Sequence, residues 1–491
     1  MKKVKSIIYQ LHQQHIKLSL QGDNIEVASR DNKLTPEQIQ LIKSHKNDII
    51  AYLKTLEYSN TAVAKIPEIP AAAHYEMSDA QRRLWLVCQM EETSAAYNLP
   101  LAVDLQGTYD LNYFQKAIEA TIERHEVLRT VFKEDETGEV RQWILPVNDL
   151  GFTVDYQDYQ NEQNPKEASK NYITNDSYKV FDLENGPLIR ASLHHLSTNE
   201  YVFYYNMHHI ISDGWSLDVL ANDVMIFYNA FKNNTTPALP ALRVQYKDFV
   251  VWNTKQLAEN TLKEGKQFWL EKLAGELPTI DLPGQKLRPK FKTSNGNVLR
   301  TTVPVSLTEK LNDFVKAQQG SLYTGLIAAL KTTIHKYTAK NDLIIGSPVV
   351  GRSHPELENQ IGFYVNNLIL RNVIDTDDSF QSFYTKVKQN TFDSFQHASY
   401  PFDRLIEDIG IKYDMSRTPI FDISLTLHNA TEALVSMESD MDEIEEVGRG
   451  VCKNDIEFHF RPEGDVISIL VKFNNDIYEV STMTNFIKHF K

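Results

Sequence analysis

The stretch Tyr201–Ser216 confines the fold more tightly than any other part of the chain. Tyr201-Val-Phe-Tyr-Tyr-Asn206 is strongly β-prone, and it runs through Met207 into the adjacent pair His208-His209. Three residues later comes Asp213-Gly214, a turn dipeptide. Apolar residues then recur at Leu217, Leu220, Val224, Phe227 and Phe231, every three or four positions, which predicts an amphipathic helix. A strand therefore carries an imidazole to a turn, beside the positive end of a helix. That is a place to hold an acid/base group.

Composition narrows the classes. With 491 residues the chain is long for one core, and about 150 residues per domain suggests roughly three units. No run approaches the ~18 apolar residues of a membrane span. The charged start Met1-Lys-Lys-Val-Lys-Ser6 is followed by Gln10, His12, Gln13 and Gln14, which interrupt any signal-peptide core. Cys88 and Cys452 are the only cysteines, too few for a disulfide framework or a cysteine zinc site, and they point to a reduced, cytoplasmic setting. No histidine cluster forms a metal-ligand set. The net charge of −14 argues against a nucleic-acid partner. Residues 1–57 hold nine Lys/Arg against six Asp/Glu, a balance of +3, which leaves −17 on the remainder. Glu438, Asp440, Asp442, Glu443, Glu445 and Glu446 read as a solvated, mobile loop.

The front of the chain reads as a separate small unit. Residues 3–14 have helical spacing (Val4, Ile7, Ile8, Leu11), and Ile16, Leu18, Leu20 and Ile25, Val27 alternate as two strands around a Gln-Gly-Asp-Asn turn. Thr35-Pro36-Glu37-Gln38 combines an N-cap, a first-turn proline and a capping-box glutamine. Helical spacing then continues through Ile39, Ile42, Ile49, Ile50 and Leu53. Residues 58–72, with Pro67 and Pro70, read as a linker. This order resembles the tubulysin-type N-terminal docking domains of synthetase subunits. The resemblance implies that the hairpin residues Ile16, Leu18, Leu20, Ile25 and Val27 receive the C-terminal tail of an upstream subunit as an added strand. A helical cap packed on the catalytic body is the alternative.

The string His208-His209-x-x-x-Asp213-Gly214 is similar to the HHxxxDG signature of nonribosomal peptide synthetase condensation domains. Other family motifs follow in order: Ser78–Leu86, where Ser78 and Gln81 also read as a capping box; Arg124–Phe132; Tyr246–Trp252; Ile361–Leu368 through Arg371; and Asp414–Phe421. His397–Asp403 matches loosely, and Asn367 replaces a usual threonine. The resemblance implies an α/β fold of two chloramphenicol acetyltransferase-like lobes in a V-shaped pseudo-dimer, beside the small α+β docking domain. The expected boundaries are 1–57 docking, 58–72 linker, 73–245 N-lobe and 246–491 C-lobe. Within the C-lobe the sequence predicts a helix near Leu322–Tyr337, a buried strand over Asp342–Pro348 and an extended run over Gly362–Val373.

The implied reaction is amide formation between a carrier-bound donor acyl or peptidyl thioester and a carrier-bound acceptor amine. Both ride on phosphopantetheine, no cofactor is bound directly, and a tunnel between the lobes admits them from opposite faces. His209 is then the catalytic residue, a base or a positioning group, and His208 a structural partner turned into the fold. Asp213 either reaches back to His209 or pairs with Arg352 to hold the lobes. Gly214 lets the backbone approach the substrate or is a plain turn glycine, and Arg124 supports its lobe. The Asp414-x-Ser-Arg417 and Gly214-Trp-Ser216 contexts suggest an L-configured donor and acceptor. The implied partners are an upstream subunit tail, donor and acceptor carrier proteins and a downstream adenylation domain, with neither nucleic acid nor membrane. A coenzyme A-dependent acyltransferase and a catalytically silent docking or scaffold subunit are the competing readings.

Overall fold

The computed structural model describes residues 16–21, 24–29, 42–43, 46, 49–50, 65–89, 94–259, 261–411, 414–428 and 445–491. The expected helix over 3–14, the Thr35–Gln38 cap, residues 58–64 of the linker and Glu438–Glu443 lie outside them. The chain divides into two compact units, Met1–Ile66 and Pro67–Lys491.

In the first unit, β1 (Ile16–Gln21) pairs antiparallel with β2 (Asn24–Ser29). Leu18 stands opposite Val27 and Leu20 opposite Ile25, so the alternation read from the sequence falls in register. Residues 42–43, 46 and 49–50 are helical, with Ile42 and Ile49 buried.

The second unit contains two α/β lobes. The N-lobe opens with α1 (Asp79–Cys88), whose Ser78/Gln81 capping box is formed on both sides. Its main sheet is built from β3 (Asn98–Gln106), β6 (Val154–Asp158), β7 (Ile189–Ser197) and β8 (Glu200–His208), in the order β3-β8-β7-β6. Beside it lies the hairpin β4 (Thr130–Glu134) and β5 (Val140–Ile144). The lobe's other helices are α2 (Leu111–Arg124), α3 (Pro165–Ser177) and α4 (Gly214–Asn233). Helix α4 is the amphipathic helix the spacing predicts; it buries Leu220 and Val224, while Leu217, Phe227 and Phe231 stay partly covered.

Helices α5 (Tyr246–Ala258) and α6 (Lys263–Lys272) lead into the C-lobe. Its strands are β9 (Asn295–Val303), β10 (Asp342–Val349), β11 (Asn366–Val373), β12 (Ile423–Leu427), β13 (Glu445–Val451), β14 (Ile456–Glu463) and β15 (Val466–Asn474). They form one seven-stranded sheet in the order β11-β10-β12-β14-β15-β9-β13. The helices are α7 (Val305–Ala317), α8 (Leu322–Thr338), α9 (Phe380–Gln396), α10 (Phe402–Ile409) and α11 (Val480–Phe490). Strand β14 shows the logic of the lobe. Ile456, Phe458 and Phe460 are fully buried in a core shared with Phe486 and Ile487 of α11, whereas Glu457, His459 and Arg461 take the opposite face. That second face is covered as well, since Glu457 is only 6% exposed.

Three expectations need correction. The acidic stretch is not loop throughout, because Glu445 and Glu446 begin β13, which pairs with β9 and shifts register between Glu446 and Gly448. Backbone pairing along a sheet edge is indifferent to side-chain charge, which composition alone reports. The end of the linker is fastened: Ile69 N–H donates to Asp248 Oδ1 at 2.8 Å, and Glu68 pairs with Arg243 at 3.2 Å. Gly362–Val365 is not strand, since it wraps around Asp213 and Tyr246 before β11 begins.

Candidate active site

Strand β8 runs between β3 and β7 and ends at His208, opposite Asn98 of β3. His208 is fully buried, and its Nδ1 accepts the Ile210 N–H at 3.1 Å. The ring hydrogen is therefore on Nε2, which faces Cys88 Sγ at 3.6 Å. Burial, then the neighbouring His209, Lys453 and Arg190, pushes the His208 pKa down to about 3.

His209 begins a single 3₁₀ turn, His209–Ile211, and is half-buried. Its Nδ1 lies 2.8 Å from the Ser212 carbonyl oxygen. A carbonyl only accepts, so Nδ1 carries the hydrogen and Nε2 keeps its lone pair. Phe363 of the C-lobe meets the ring edge-on, with centroids 4.9 Å apart. Burial first and the Lys453 ammonium second push its pKa down to about 3, against the opposing pull of the Ser212 carbonyl. The site thus holds a neutral imidazole with one lone pair available, at the seam of the two lobes.

Asp213 caps α4. Its Oδ1 accepts from Ser216 N–H at 2.9 Å and Ser216 Oγ at 2.7 Å; its Oδ2 accepts from Arg352 Nη1 at 2.5 Å and Tyr364 N–H at 3.1 Å. Both oxygens are occupied and neither bonds His209. Arg352 is equally committed: Nη2 donates to Ser216 Oγ (3.0 Å) and Gln360 O (2.9 Å), and Nε to Leu357 O (3.1 Å). The pair is almost fully buried, with side chains 2% and 4% exposed. Gly351, before Arg352, packs so closely on the Ile361–Leu368 segment that a Cβ there would lie 1.9 Å from the Tyr364 carbonyl oxygen.

Gly214 is exposed at the first position of α4, and a Cβ added there would meet no atom within 4 Å. Its φ is not positive, so the backbone does not demand glycine. Arg124 lies apart from this set: Nε donates to Asp223 Oδ2 at 2.9 Å and Nη1 to the Pro240 carbonyl at 2.7 Å. With His125, which accepts the Ile361 N–H on Nδ1 (3.4 Å) and donates from Nε2 to the same Asp223 oxygen (3.0 Å), it braces α2 against α4.

Sequence reasoning missed several members. Gln81 is buried and donates to the Ile210 carbonyl at 3.1 Å, pinning the histidine turn. The Tyr246 hydroxyl donates to Phe363 O at 2.9 Å and lies 3.1 Å from Ser78 Oγ, and Arg83 pairs with Asp403. Trp215 Nε1 donates to the Glu358 carbonyl at 2.8 Å. Motifs far apart in sequence thus meet at the seam; their order was legible, and of their contacts the Asp213–Arg352 pair alone was among the sequence readings. Lys453, Tyr97 and Cys88 carried no sequence signal. Among the described residues no cluster of His, Cys, Asp and Glu suits a metal ion, and no helix is long and apolar enough to cross a membrane.

Residues 71–491 match the condensation-domain family model. The chain belongs to the condensation-domain family. Residues 4–55 match the TubC N-terminal docking domain. Among curated relatives, surfactin synthase subunit 1 of Bacillus subtilis (strain 168) is 32% identical over 87% of this chain and 12% of that protein. Bacitracin synthase 1 of Bacillus licheniformis is 31% identical over 85% of this chain and 8% of its own length. The chain therefore spans a small fraction of these synthases. Among solved structures, the X-domain from teicoplanin biosynthesis superposes with a TM-score of 0.76 at 21% identity, covering 87% of this chain and 95% of that one. The first condensation domain of the CDA synthetase gives 0.70 at 17% identity, covering 85% and 95%. These neighbours share the two-lobed α/β fold.

Removing one partner of a buried ion pair strands the other charge. In this condensation domain Arg352→Ala is expected to cost about 3–5 kcal/mol, read as the shift of the denaturant midpoint at constant slope. A loss below about 1 kcal/mol would show that the pair does not hold the seam.

Proposed function

We propose that this chain forms an amide bond between a donor acyl or peptidyl thioester and an acceptor aminoacyl amine, both tethered to carrier proteins through phosphopantetheine. The observation that carries this reading is the His209 Nε2 lone pair, which has no hydrogen-bond partner among the described residues and belongs to a half-buried ring at the seam, inside the HHxxxDG string. The synthase names of its relatives support it.

The thioester is already activated, so the main requirements are positioning and proton management. The incoming amine donates a hydrogen bond to Nε2, which aims its own lone pair at the thioester carbon. Holding a proton on an imidazole whose pKa is about 3 costs roughly 5 kcal/mol at neutral pH. His209 therefore orients the amine and passes the proton toward the departing sulfur without storing it. Two-sided access would bring the carriers in from opposite faces. Asp213 and Arg352 serve as structure, His208 as a tautomer-locked neighbour and Arg124 as a brace within the N-lobe. The hairpin residues Ile16, Leu18, Leu20, Ile25 and Val27 recruit an upstream subunit's tail, and an adenylation domain follows in the full-length assembly. The expected setting is the cytoplasm, and the expected pairing is an L-configured donor with an L-configured acceptor.

The test is intact-mass detection of dipeptidyl carrier after mixing loaded donor and acceptor carriers with the chain. His209→Ala is expected to lower the rate by ~10²–10⁴-fold. Product from coenzyme A thioesters with none from carriers would instead identify a free-standing acyltransferase, and no product from either would leave a binding body. Gly214→Ala meets no protein atom, so it is expected to keep the wild-type melting temperature and lose turnover through crowding of the substrate. Full activity in that variant would remove Gly214 from the substrate path.

A further inference from the structure

Lys453, between β13 and β14 of the C-lobe, holds its ammonium 5.2 Å from the centre of the Tyr97 ring of the N-lobe. Asn98 and His208 are partners across β3 and β8, and Tyr97 and His209 are the residues immediately beyond these two strand ends. A cation from one lobe is thereby brought beside the histidine turn of the other. The Lys453 backbone is fixed on both sides: its N–H donates to Glu457 Oε1 at 2.5 Å, and its carbonyl accepts from the Lys292 ammonium.

The side chain is half-buried, yet among the described residues its ammonium has no hydrogen-bond acceptor and no carboxylate in ion-pair range. The carboxylates of the neighbourhood are engaged elsewhere: Asp403 pairs with Arg83, Asp455 with Arg288, and Glu457 is held by backbone and histidine. Glu457 Oε1 takes the N–H groups of Lys453 and Asn454, and its Oε2 lies 3.5 Å from His459 Nε2. Lys472 stands opposite Glu457 in β15, and Lys292 adds a further positive group. Cys88 faces the cluster as a thiol, its pKa pushed up to about 12 by burial, and His208 and His209 are neutral. The seam beside His209 thus carries a surplus of positive charge; among the described residues Lys453 and Lys472 both keep a donor to spare, and Lys453 is the one set against the Tyr97 ring of the N-lobe. Such a group is worth far more at a partly desolvated site than in water.

We propose that Lys453 is a second catalytic residue, whose ammonium stabilises the thioester oxygen as it becomes an oxyanion. The proposal rests on the aminolysis reading above. The amine lone pair attacks the thioester carbon, and the carbonyl π electrons move onto oxygen, where Lys453 donates a hydrogen bond. The oxygen lone pair then re-forms the carbonyl, the C–S bond breaks, and the amine proton passes by way of His209 Nε2 to the thiolate. One thioester and one amine give one amide and one thiol, with nothing else consumed.

The pH dependence has a definite sign. Burial, opposed by Glu457 and reinforced by Lys472, draws the Lys453 pKa down to about 8. The ammonium is charged below that value and neutral above it, so its contribution fades as pH rises through about 8.

The experiment measures single turnovers of the full chain with saturating loaded carriers, from mildly acidic to alkaline pH, for wild type, Lys453→Met and Lys453→Arg. Lys453→Met is expected to lower the rate by ~10²–10³-fold without changing the carrier concentration for half-maximal rate. Lys453→Arg is expected to stay within about tenfold of wild type. Its guanidinium does not titrate, so the ratio of wild-type to arginine-variant rate falls above pH 8. A wild-type rate in Lys453→Met, or a ratio independent of pH, overturns the proposal. Should Lys453→Met fail to fold in a thermal scan, the arginine ratio decides alone. A wild-type chain that makes no dipeptide overturns the aminolysis reading instead.

Discussion

The buried contact between Asp213 and Arg352 is the constraint on which the rest of the site depends. Asp213 does two jobs with two oxygens: one ends the histidine turn by capping α4, and the other receives Arg352 and the Tyr364 N–H from the opposite lobe. The same carboxylate therefore fixes where the turn stops and where the second lobe sits. Two desolvated charges would be a liability without further bonds, but Arg352 satisfies three more acceptors and stacks on Tyr364 at 4.3 Å. Gly351 allows the arginine loop to approach, since any side chain would strike the Tyr364 carbonyl.

From that seam the chemistry of the imidazole follows. The turn presents the Ser212 carbonyl to Nδ1, which sets the tautomer, and Phe363 covers one edge of the ring. With a positive neighbour in Lys453 and, among the described residues, no carboxylate hydrogen-bonded to the ring, the environment disfavours imidazolium. This differs from an arrangement in which an acidic partner braces a strong base. Here the ring is an acceptor, which is what the proposed aminolysis asks of it, and charge stabilisation is assigned in that proposal to the Lys453 ammonium from the other lobe.

Much of this was legible in the sequence, for reasons that can be named. The period-three-and-four spacing from Leu217 to Phe231 marked out α4, and the alternation around Ile16–Val27 marked out a hairpin in register. Ser78 and Gln81 announced a capping box because both halves of that interaction lie within four residues. What stayed hidden depends on long-range contact or on the backbone. Phe363 meets His209 across 154 positions, and Lys453 meets Tyr97 across 356, with no local pattern to betray either contact. Charge made Glu445 and Glu446 look like loop, yet their backbone joins a sheet edge. Prolines made residues 67–70 look like a free spacer, yet the Ile69 N–H is bound by Asp248.

NMR of isotope-labelled histidine side chains, followed through an acid titration of the intact chain, interrogates the neutral ring at the seam most directly. The account predicts that the His209 imidazole keeps its hydrogen on Nδ1 and stays unprotonated well below pH 5, since its pKa is about 3. A ring that titrates near the ordinary value of about 6.5, or that carries its hydrogen on Nε2 at neutral pH, would contradict it.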